Sequence, residues 1–220
     1  RMTVVVHADV LLDRRALAAQ MPAALAAALA ERAGGSVQAW ELAYRRIVDD
    51  WDSYWIDLDL SGDESLAHWR EGRWRVTRAH FRVAGHSAPL LEEMPLYLDV
   101  LPREVGRRVE VWQPGALDAL CDLAAWRRVA VLAPYNASSL VWGMLDASGA
   151  AEVVGAVLGP DELGQAGLDG LTWATVERLA GAAPASAVLV AGGDPIPGAP
   201  VLQPPADLTQ LPDLLRQEEP

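Results

Sequence analysis

The stretch VVVHADVLLD, residues 4–13, decides how this chain folds. A short β-branched apolar run gives way there to polar residues, and this pattern predicts a buried strand of a parallel sheet that ends at the sheet edge. His7 and Asp9 stand at that end, two positions apart. We therefore predict that both side chains lie on the floor of a cleft.

Four further apolar runs predict the other strands. They cover residues 129–133, 153–158, 187–191 and 200–202. Helical patterns separate most of these runs, and such alternation predicts right-handed crossovers and a parallel sheet that is covered on both sides. A last helix is predicted to begin after Asp207. The predicted fold class is therefore α/β, with a Rossmann-like parallel sheet as its core.

A long insertion separates the first strand from the second. No convincing strand occurs in it, and it is too long for an ordinary crossover. We predict that residues 14–111 form a helical bundle and that residues 1–13 and 112–220 form the α/β core. The first of four helices in the bundle is predicted to begin at Pro22 and to end at Gly34-Gly35.

The apolar patterns predict the other three helices of the insertion. One helix carries an aromatic stripe from Trp40 to Trp55 on a single face. The next spans Glu64–Ala84 and ends at Gly85, and the last spans Leu90–Val105. Aromatic residues at helical spacing most often form the core of a bundle.

The composition limits the kinds of partner and chemistry. All 18 basic residues are arginine and the formal net charge is −12, so the electrostatic field opposes binding to nucleic acid and to anionic membranes. The lack of lysine excludes a Schiff base, a lysine base and a phosphate-neutralising lysine from this chain. The single cysteine, Cys121, lies in an apolar helical pattern that is typical of inert packing.

The sequence also bears on the compartment. It contains neither an apolar run of membrane-spanning length nor a basic segment ahead of an apolar signal core. We therefore expect a cytoplasmic protein that does not contact membranes.

The order of these elements resembles that of the haloacid dehalogenase-like (HAD) superfamily with a helical cap inserted after the first strand. In that superfamily an apolar strand ends in Asp-x-Asp, and here the same place reads His7-Ala8-Asp9. Three further runs resemble the second motif, the fourth motif and the closing strand and helix: VAVLAPYNASSLVWGMLDASG (residues 129–149), SAVLVAGGDPIPGAP (186–200) and PVLQPPADLTQLPDLL (200–215). The resemblance covers nearly the whole chain and implies a Rossmann-like core with a C1-type cap.

The resemblance also implies a chemistry, from which this chain departs. In HAD phosphatases the first Asp attacks phosphorus, the second protonates the leaving group, and Mg²⁺, a hydroxyl and a lysine neutralise the phosphoryl group. Here His7 stands at the nucleophile position, Ala133-Pro134 near the hydroxyl position, and residues 167–169 where the lysine often occurs. Gly193 stands where the first acid of the fourth motif is usual, which leaves Asp194. We predict that Mg²⁺ binds poorly, that the site uses no metal and no cofactor, and that phosphatase and dehalogenase chemistry are lost.

His7 and Asp9 are the predicted catalytic residues. An imidazole beside a carboxylate supplies a proton donor and a proton acceptor near neutral pH, and Asp194 is predicted to orient His7. The alternative is that His7 only fills space and forms local hydrogen bonds in a cleft that is no longer used.

Tyr135 and Asn136 are predicted to bind a ligand from a loop over the same sheet edge. A phenol in place of a small phosphate-binding residue narrows the pocket and adds a hydrogen-bonding group. Alternatively, Tyr135 plugs the cavity. The competing explanation for Asn136, and for Ser138, is a helix cap.

The insertion contributes tryptophans and arginines to the predicted site. Trp69 and Trp74 are predicted to line a largely apolar pocket, the alternative being bundle core. The arginines from Arg70 to Arg82 form the densest positive patch, for which solvent exposure and pairing with nearby acids is the ordinary explanation. The alternative is recognition of a carboxylate or of the phosphate of a carrier protein.

Three functional hypotheses follow. In the first, the cleft between insertion and core binds a small, largely apolar organic molecule and converts it by metal-free acid/base catalysis, such as cyclisation, isomerisation or elimination. In the second, the protein is non-catalytic and contacts a protein partner or a second copy of itself. In the third, it retains a Mg²⁺-dependent phosphohydrolase activity.

Overall fold

Five parallel strands form the central sheet in the part of the chain that the structure describes. The computed structural model describes residues 2–192 and 196–217. The strands are β1 (Thr3–His7), β2 (Arg128–Leu132), β3 (Ala156–Leu158), β4 (Ala187–Val190) and β5 (Val201–Leu202), in the sheet order β3-β2-β1-β4-β5. Every pairing between neighbouring strands is parallel. The predicted α/β class with a parallel sheet is confirmed.

The strand β1 lies in the middle of the sheet. Val4 and Val6 face one hydrophobic core, and Val5 faces a second core on the opposite side. In the register of the sheet, His7 lies beside Leu132, the last residue of β2. Because parallel strands end at the same edge, the residues that follow β1, β2 and β4 meet there.

Helices cover both faces of the sheet. The α-helices are α1 (Ala8–Leu11), α2 (Arg14–Ala33), α3 (Val37–Asp49), α4 (Ser65–Val83), α5 (Leu101–Gly106), α6 (Ala116–Ala124), α7 (Ser138–Ser148), α8 (Pro160–Leu163), α9 (Trp173–Leu179) and α10 (Leu211–Gln217). The predicted last helix is confirmed: Asp207 caps a short 3-10 turn that leads into α10. Among the described residues, each helix is too short or too polar to cross a membrane.

The first helix of the insertion begins earlier than predicted. The side chain of Asp13 accepts the backbone N–H groups of Arg15 and Ala16 and so starts α2. Pro22 lies in the interior of this helix. The predicted start at Pro22 is wrong because an alanine-rich, well-capped helix tolerates the loss of one backbone hydrogen bond. The predicted end at Gly34-Gly35 is confirmed, since Gly34 has a φ of 80° and follows the last helical residue.

The aromatic stripe of the insertion does not lie on one helix. Trp40 is fully buried on α3, whereas Trp51 begins a 3-10 turn after α3 has ended and Trp55 follows that turn. The break occurs at Asp50, whose side chain accepts a hydrogen bond from the Ser53 hydroxyl at 2.8 Å. Such local bonding competes with the continuation of a helix, so the prediction of one continuous helix is wrong.

The two remaining predictions for the insertion have different outcomes. The helix predicted over Glu64–Ala84 is confirmed as α4, and Gly85 follows it with a φ of 83°. The helix predicted over Leu90–Val105 is wrong as a single element. It is divided into a 3-10 turn (Leu91–Glu93), a π-helical turn (Leu96–Val100) and α5. Prolines 95 and 102 explain the division, because each lacks the backbone N–H that a regular helix needs.

The helical segment (residues 14–111) packs closely on the rest of the chain. α5 crosses α7 closely at Gly106 and Gly143: a Cβ atom on Gly143 would lie 3.0 Å from the Cα of Gly106 and 2.1 Å from the carbonyl oxygen of Arg103. Leu12 and Trp112 form an antiparallel bridge where the segment leaves and rejoins the sheet. The division of the chain at residues 13/14 and 111/112 stays a prediction.

Candidate functional site at the edge of the sheet

His7 is both the last residue of β1 and the N-cap of α1. Its Nδ1 accepts the backbone N–H of Asp9 at 3.3 Å. An accepting Nδ1 carries a lone pair, so the hydrogen of the neutral ring sits on Nε2. Burial lowers the pKa of His7 below its ordinary value of 6.5; the charge of Asp9 opposes this shift and that of Arg14 adds to it. His7 is therefore neutral at pH 7 and donates only from Nε2.

Asp9 is held by an arginine that follows it on the chain. Arg14 donates from Nε to Asp9 Oδ1 at 2.8 Å and from Nη2 to Asp9 Oδ2. The His7 Nδ1 atom lies 3.6 Å from Asp9 Oδ2. A carboxylate has about four lone-pair sites, so the two bonds to Arg14 orient Asp9 and leave acceptor sites on both oxygens.

His7 and Asp9 line a cleft of about 710 Å³, which we call the outer cleft. Its walls come from the end of β1, from α1 and α2, from the loop that follows β2, from the segment between α8 and α9, and from the end of β4. The side chains that line it are His7, Asp9, Leu12, Arg14, Leu17, Ala18, Met21, Tyr135, Asn136, Leu168 and Ala191. The structure thus brings together four predicted site residues: His7, Asp9, Tyr135 and Asn136.

Tyr135 and Asn136 lie in the loop between β2 and α7. Tyr135 is 61% exposed, so it stands beside the cleft and does not plug it. The alternative of a helix cap at Asn136 or Ser138 is wrong, because Ala137 occupies the N-cap of α7 and no side chain caps it. Ser138 is the first helical residue, and its hydroxyl donates to Glu162 at 2.7 Å.

A second cavity, which we call the inner chamber, lies between the helical segment and α7. Its volume is about 300 Å³, and it shares Met21, Tyr135 and Asn136 with the outer cleft. Aliphatic and aromatic side chains form most of its wall, among them Leu25, Tyr44, Trp51, Trp55, Trp69, Tyr97, Leu98 and Leu140. Trp69 therefore lies where a ligand-contacting residue was predicted.

One predicted site residue lies away from both cavities, and a second lies outside the described residues. Trp74 is 5% exposed and packs in the main hydrophobic core, outside the walls of both cavities. Core packing was the alternative explanation for this residue, and the structure favours it. Asp194, predicted to orient His7, lies outside the described residues.

Solved structures of haloacid dehalogenases share this architecture. The 2-haloacid dehalogenase from Pseudomonas syringae pv. Tomato aligns with a TM-score of 0.53 and 20% sequence identity over 99% of each chain. The L-2-haloacid dehalogenase from Xanthobacter autotrophicus, solved with chloropropionic acid covalently bound, aligns with a TM-score of 0.50 and 16% identity over 99% of each chain. The chain has the haloacid dehalogenase-like fold. No model of a protein family and no curated protein matches it.

Two positions at which the sequence departs from the HAD motifs can be located in the structure. Leu168, from the stretch where the resemblance implied a lysine, puts an apolar side chain into the outer cleft. Ala133, at the end of β2 where a small hydroxyl residue was implied, is fully buried. Neither position supplies a charged or hydroxyl side chain to the cleft.

The HAD resemblance implies a Mg²⁺ ion beside the end of β1, and the described residues do not fit one. Mg²⁺ requires several oxygen ligands. At this place the described residues offer one carboxylate, that of Asp9, which Arg14 already holds, and an imidazole. Within residues 2–192 and 196–217, no group of three or more His, Cys, Asp or Glu side chains is arranged to hold a metal ion.

Two polar residues of the site, Arg14 and His80, were missed at the level of sequence, and Arg73 was considered only as part of the positive patch, with carboxylate recognition as the alternative. Arg14 lies five positions after Asp9, and Arg73 and His80 lie on α4. A signal for the last two was present: Trp69, Arg73 and His80 recur at helical spacing and share one face. This shared face was overlooked because Arg73 was grouped with the other arginines of the positive patch, for which solvent exposure was the ordinary explanation.

Proposed function

We propose that this protein binds a small, largely apolar organic molecule in the outer cleft and transfers a proton within it without a metal ion. The feature that carries this proposal is the state of His7 that follows from its contacts: a neutral imidazole at the end of the central strand, whose Nε2 hydrogen bonds to none of the described residues. Asp9 provides a carboxylate in the same cleft.

These two groups suit proton transfer next to a carbonyl. The carboxylate of Asp9 removes a proton from the carbon beside the carbonyl, and Nε2–H of His7 donates a hydrogen bond to the oxygen that becomes negative. Return of the proton to a different carbon completes an isomerisation. Expulsion of a leaving group that takes up the proton completes an elimination. A neutral imidazole is a better match than a charged one for a weakly acidic carbonyl ligand.

The walls of the cavities support an apolar ligand. Leu12, Leu17, Met21 and Leu168 line the outer cleft beside the polar pair, and the inner chamber adds several aromatic rings. Small-molecule sites commonly combine an apolar wall with a few convergent polar groups.

A second candidate is a non-catalytic interaction protein. Large apolar side chains are exposed at two places of the helical segment: Ile56 is 86% exposed and Leu91 is 70% exposed. Such residues favour contact with a protein partner or a second copy of the chain. The open outer cleft is not needed for this role, so turnover of a small molecule distinguishes the two candidates.

The test follows proton transfer directly. A panel of small apolar carbonyl compounds is incubated with the protein in D₂O and EDTA, and deuterium incorporation at carbon is measured by NMR. We expect incorporation with the unmodified protein and a loss of about 100-fold or more in His7→Ala and Asp9→Asn. His68→Ala is the control, since this imidazole lies outside both cavities. Equal exchange in all four proteins contradicts the proposal, and binding without exchange favours the second candidate.

A further inference from the structure

Three residues in the wall of the inner chamber each carry a buried polar atom that has no hydrogen-bond partner among the described residues. The atoms are Nη1 of Arg73, Nε2 of His80 and Nε1 of Trp55. Buried polar groups are nearly always hydrogen-bonded, and each exception calls for an explanation. Because all three residues belong to the wall of one cavity, a ligand in that cavity explains them together.

Arg73 brings a positive charge to this cavity and forms no salt bridge with a described acid. Its Nη2 donates to the carbonyl oxygen of Leu98 at 2.6 Å, and its guanidinium lies 4.4 Å from the centre of the Trp69 ring. Asp99 and Asp161, the acids whose charges raise the pKa of Arg73, are bound by Arg70. Burial lowers the pKa of Arg73 to about 10, so the side chain remains charged at neutral pH. A buried, unpaired cation is costly, and an anionic group in the chamber removes that cost.

His80 presents an acceptor to the same cavity. The side chain is 4% exposed, and its Nδ1 lies 3.0 Å from the carbonyl oxygen of Val76. A carbonyl oxygen only accepts, so Nδ1 carries the hydrogen and Nε2 keeps a lone pair. Burial lowers the pKa of His80 to about 4, which keeps Nε2 unprotonated at neutral pH.

Trp55 supplies the third group, an indole N–H. Its ring packs directly on Gly72 of α4, where a Cβ atom would lie 2.3 Å from the ring. The chamber thus holds one cation, one acceptor and one neutral donor, surrounded by apolar side chains.

We infer that the inner chamber binds an apolar or aromatic monocarboxylate that also carries a hydroxyl or N–H group. The carboxylate pairs with Arg73, the ligand's donor bonds to His80 Nε2, and Trp55 Nε1 donates to a ligand oxygen. A phosphate ester fits less well, because one cation and no metal would leave a second negative charge buried and unpaired.

This inference deepens the proposed function and rests on it for the position of the reacting end of the ligand. Met21, Tyr135 and Asn136 line both cavities, so a ligand anchored on Arg73 can extend past them into the outer cleft. Arg73 and His80 are binding residues in this scheme, while His7 and Asp9 act on the exposed end.

The test compares acids with their neutral esters. Arylalkanoic acids of increasing length, from benzoate to hydroxyphenylbutanoate, and their methyl esters are titrated into the full chain by calorimetry. We expect at least one acid to bind, and its ester to bind about tenfold or more weakly, because a charge-assisted hydrogen bond is lost. This comparison requires no variant. If no acid in the series binds, or if acid and ester bind equally, the inference is overturned.

Variants then test whether the carboxylate of the ligand binds to Arg73. Arg73→Met is expected to lower the affinity for the acid to that of the ester, whereas Arg75→Met, on the same helix but paired with Asp57 and Glu71, leaves it unchanged. His80→Phe is expected to weaken binding of the hydroxylated acid and to spare the acid without a hydroxyl. Equal affinity in Arg73→Met and the unmodified protein contradicts the inference.

The outcome is separable from that of the proposed function. Calorimetry reads the binding that depends on Arg73, whereas deuterium exchange reads the proton transfer at His7 and Asp9, so the two measurements can succeed or fail separately. Arg73-dependent binding without deuterium exchange supports this inference and contradicts the proton transfer. Exchange that is insensitive to Arg73→Met supports the proton transfer and contradicts this inference.

Discussion

Single backbone contacts decide what the two imidazoles of this site can do. In His7, Nδ1 accepts an amide hydrogen, so Nε2 is a donor. In His80, Nδ1 faces a carbonyl oxygen, so Nε2 is an acceptor. Both rings are neutral at pH 7, yet they offer opposite hydrogen-bonding groups to adjoining cavities. The neutral donor, His7 Nε2, can stabilise a ligand oxygen that becomes negative. The neutral acceptor, His80 Nε2, can accept a hydrogen bond from a ligand hydroxyl.

The buried His80 should make the stability of the protein depend on pH. Its folded-state pKa of about 4 lies below the ordinary 6.5, so the unfolded chain binds the proton more readily. The resulting stability is complete above pH 6.5 and is lost as the pH falls towards 4, on the order of 3 kcal/mol. Urea unfolding at pH 7 and pH 4.5 should show this loss, which His80→Gln should reduce.

The other titratable groups around the chamber do not change charge in this pH range. Burial raises the pKa of Tyr44, whose ring lies 5.9 Å from that of His80, and that of Arg73 stays near 10. His68→Gln is the matched control, because this imidazole is partly exposed. If His68→Gln and His80→Gln alter the pH dependence equally, the assignment to His80 is wrong.

At the scale of elements, two glycines let a helix of the insertion touch the core. A Cβ atom on Gly106 of α5 or on Gly143 of α7 would lie 3.0 Å from the Cα of the other glycine and 2.1 Å from a carbonyl oxygen of the other helix. Both helices contribute to the inner chamber, through Leu101 and Leu140. The close crossing therefore sets the width of the chamber.

Gly143→Ala should destabilise the protein although it improves helix propensity. On propensity alone, alanine would add about 1 kcal/mol to α7. The new Cβ would instead lie 2.1 Å from the carbonyl oxygen of Arg103, and overpacking of this kind costs about 1–3 kcal/mol or more. A lower midpoint of urea unfolding is expected. Ala147→Gly, at an exposed position of α7, is the control and should cost about 1 kcal/mol. If the Gly143→Ala protein is more stable than the unmodified one, α5 and α7 do not approach each other as closely as described.

The strands of the sheet could be predicted from the sequence because each strand is marked by a short apolar run of neighbouring residues. Short β-branched runs predicted all five described strands, and the position of His7 at the end of β1 followed from one of them. The insertion was harder, since capping by Asp13 and the bond between Ser53 and Asp50 decided helix ends that periodicity alone does not show. Burial of Arg73 depends on packing between distant segments, which no local pattern records.

At the scale of the whole molecule, Arg70 ties the helical segment to the sheet. It donates to Asp99 within that segment and to Asp161 on α8, which follows β3. The backbone N–H of Ala166 adds a bond to the hydroxyl of Ser65, at the start of α4. These contacts fix α4, and the chamber wall that it carries, against the core.

Arg70 should also keep the chamber free for an anion. Asp99 and Asp161 favour the charged form of Arg73 electrostatically, and they become available to it once Arg70 is removed. Arg70→Met is therefore expected to lower the affinity for an arylalkanoic acid about fivefold or more and to raise acrylamide quenching of the tryptophans. The affinity for the methyl ester should change less, because the ester does not compete with these carboxylates.

Arg75→Met is the matched control for this prediction. Arg75 lies on the same helix, its side chain is 33% exposed against 30% for Arg70, and it also pairs with two acids. Its partners, Asp57 and Glu71, both belong to the helical segment, so its loss should leave acid binding and quenching unchanged. If Arg70→Met and Arg75→Met behave alike in calorimetry and quenching, the contact between segment and sheet does not govern the chamber. If only Arg70→Met weakens the acid while sparing the ester, competition for Arg73 is the cause, because loosening of the wall alone would weaken both ligands.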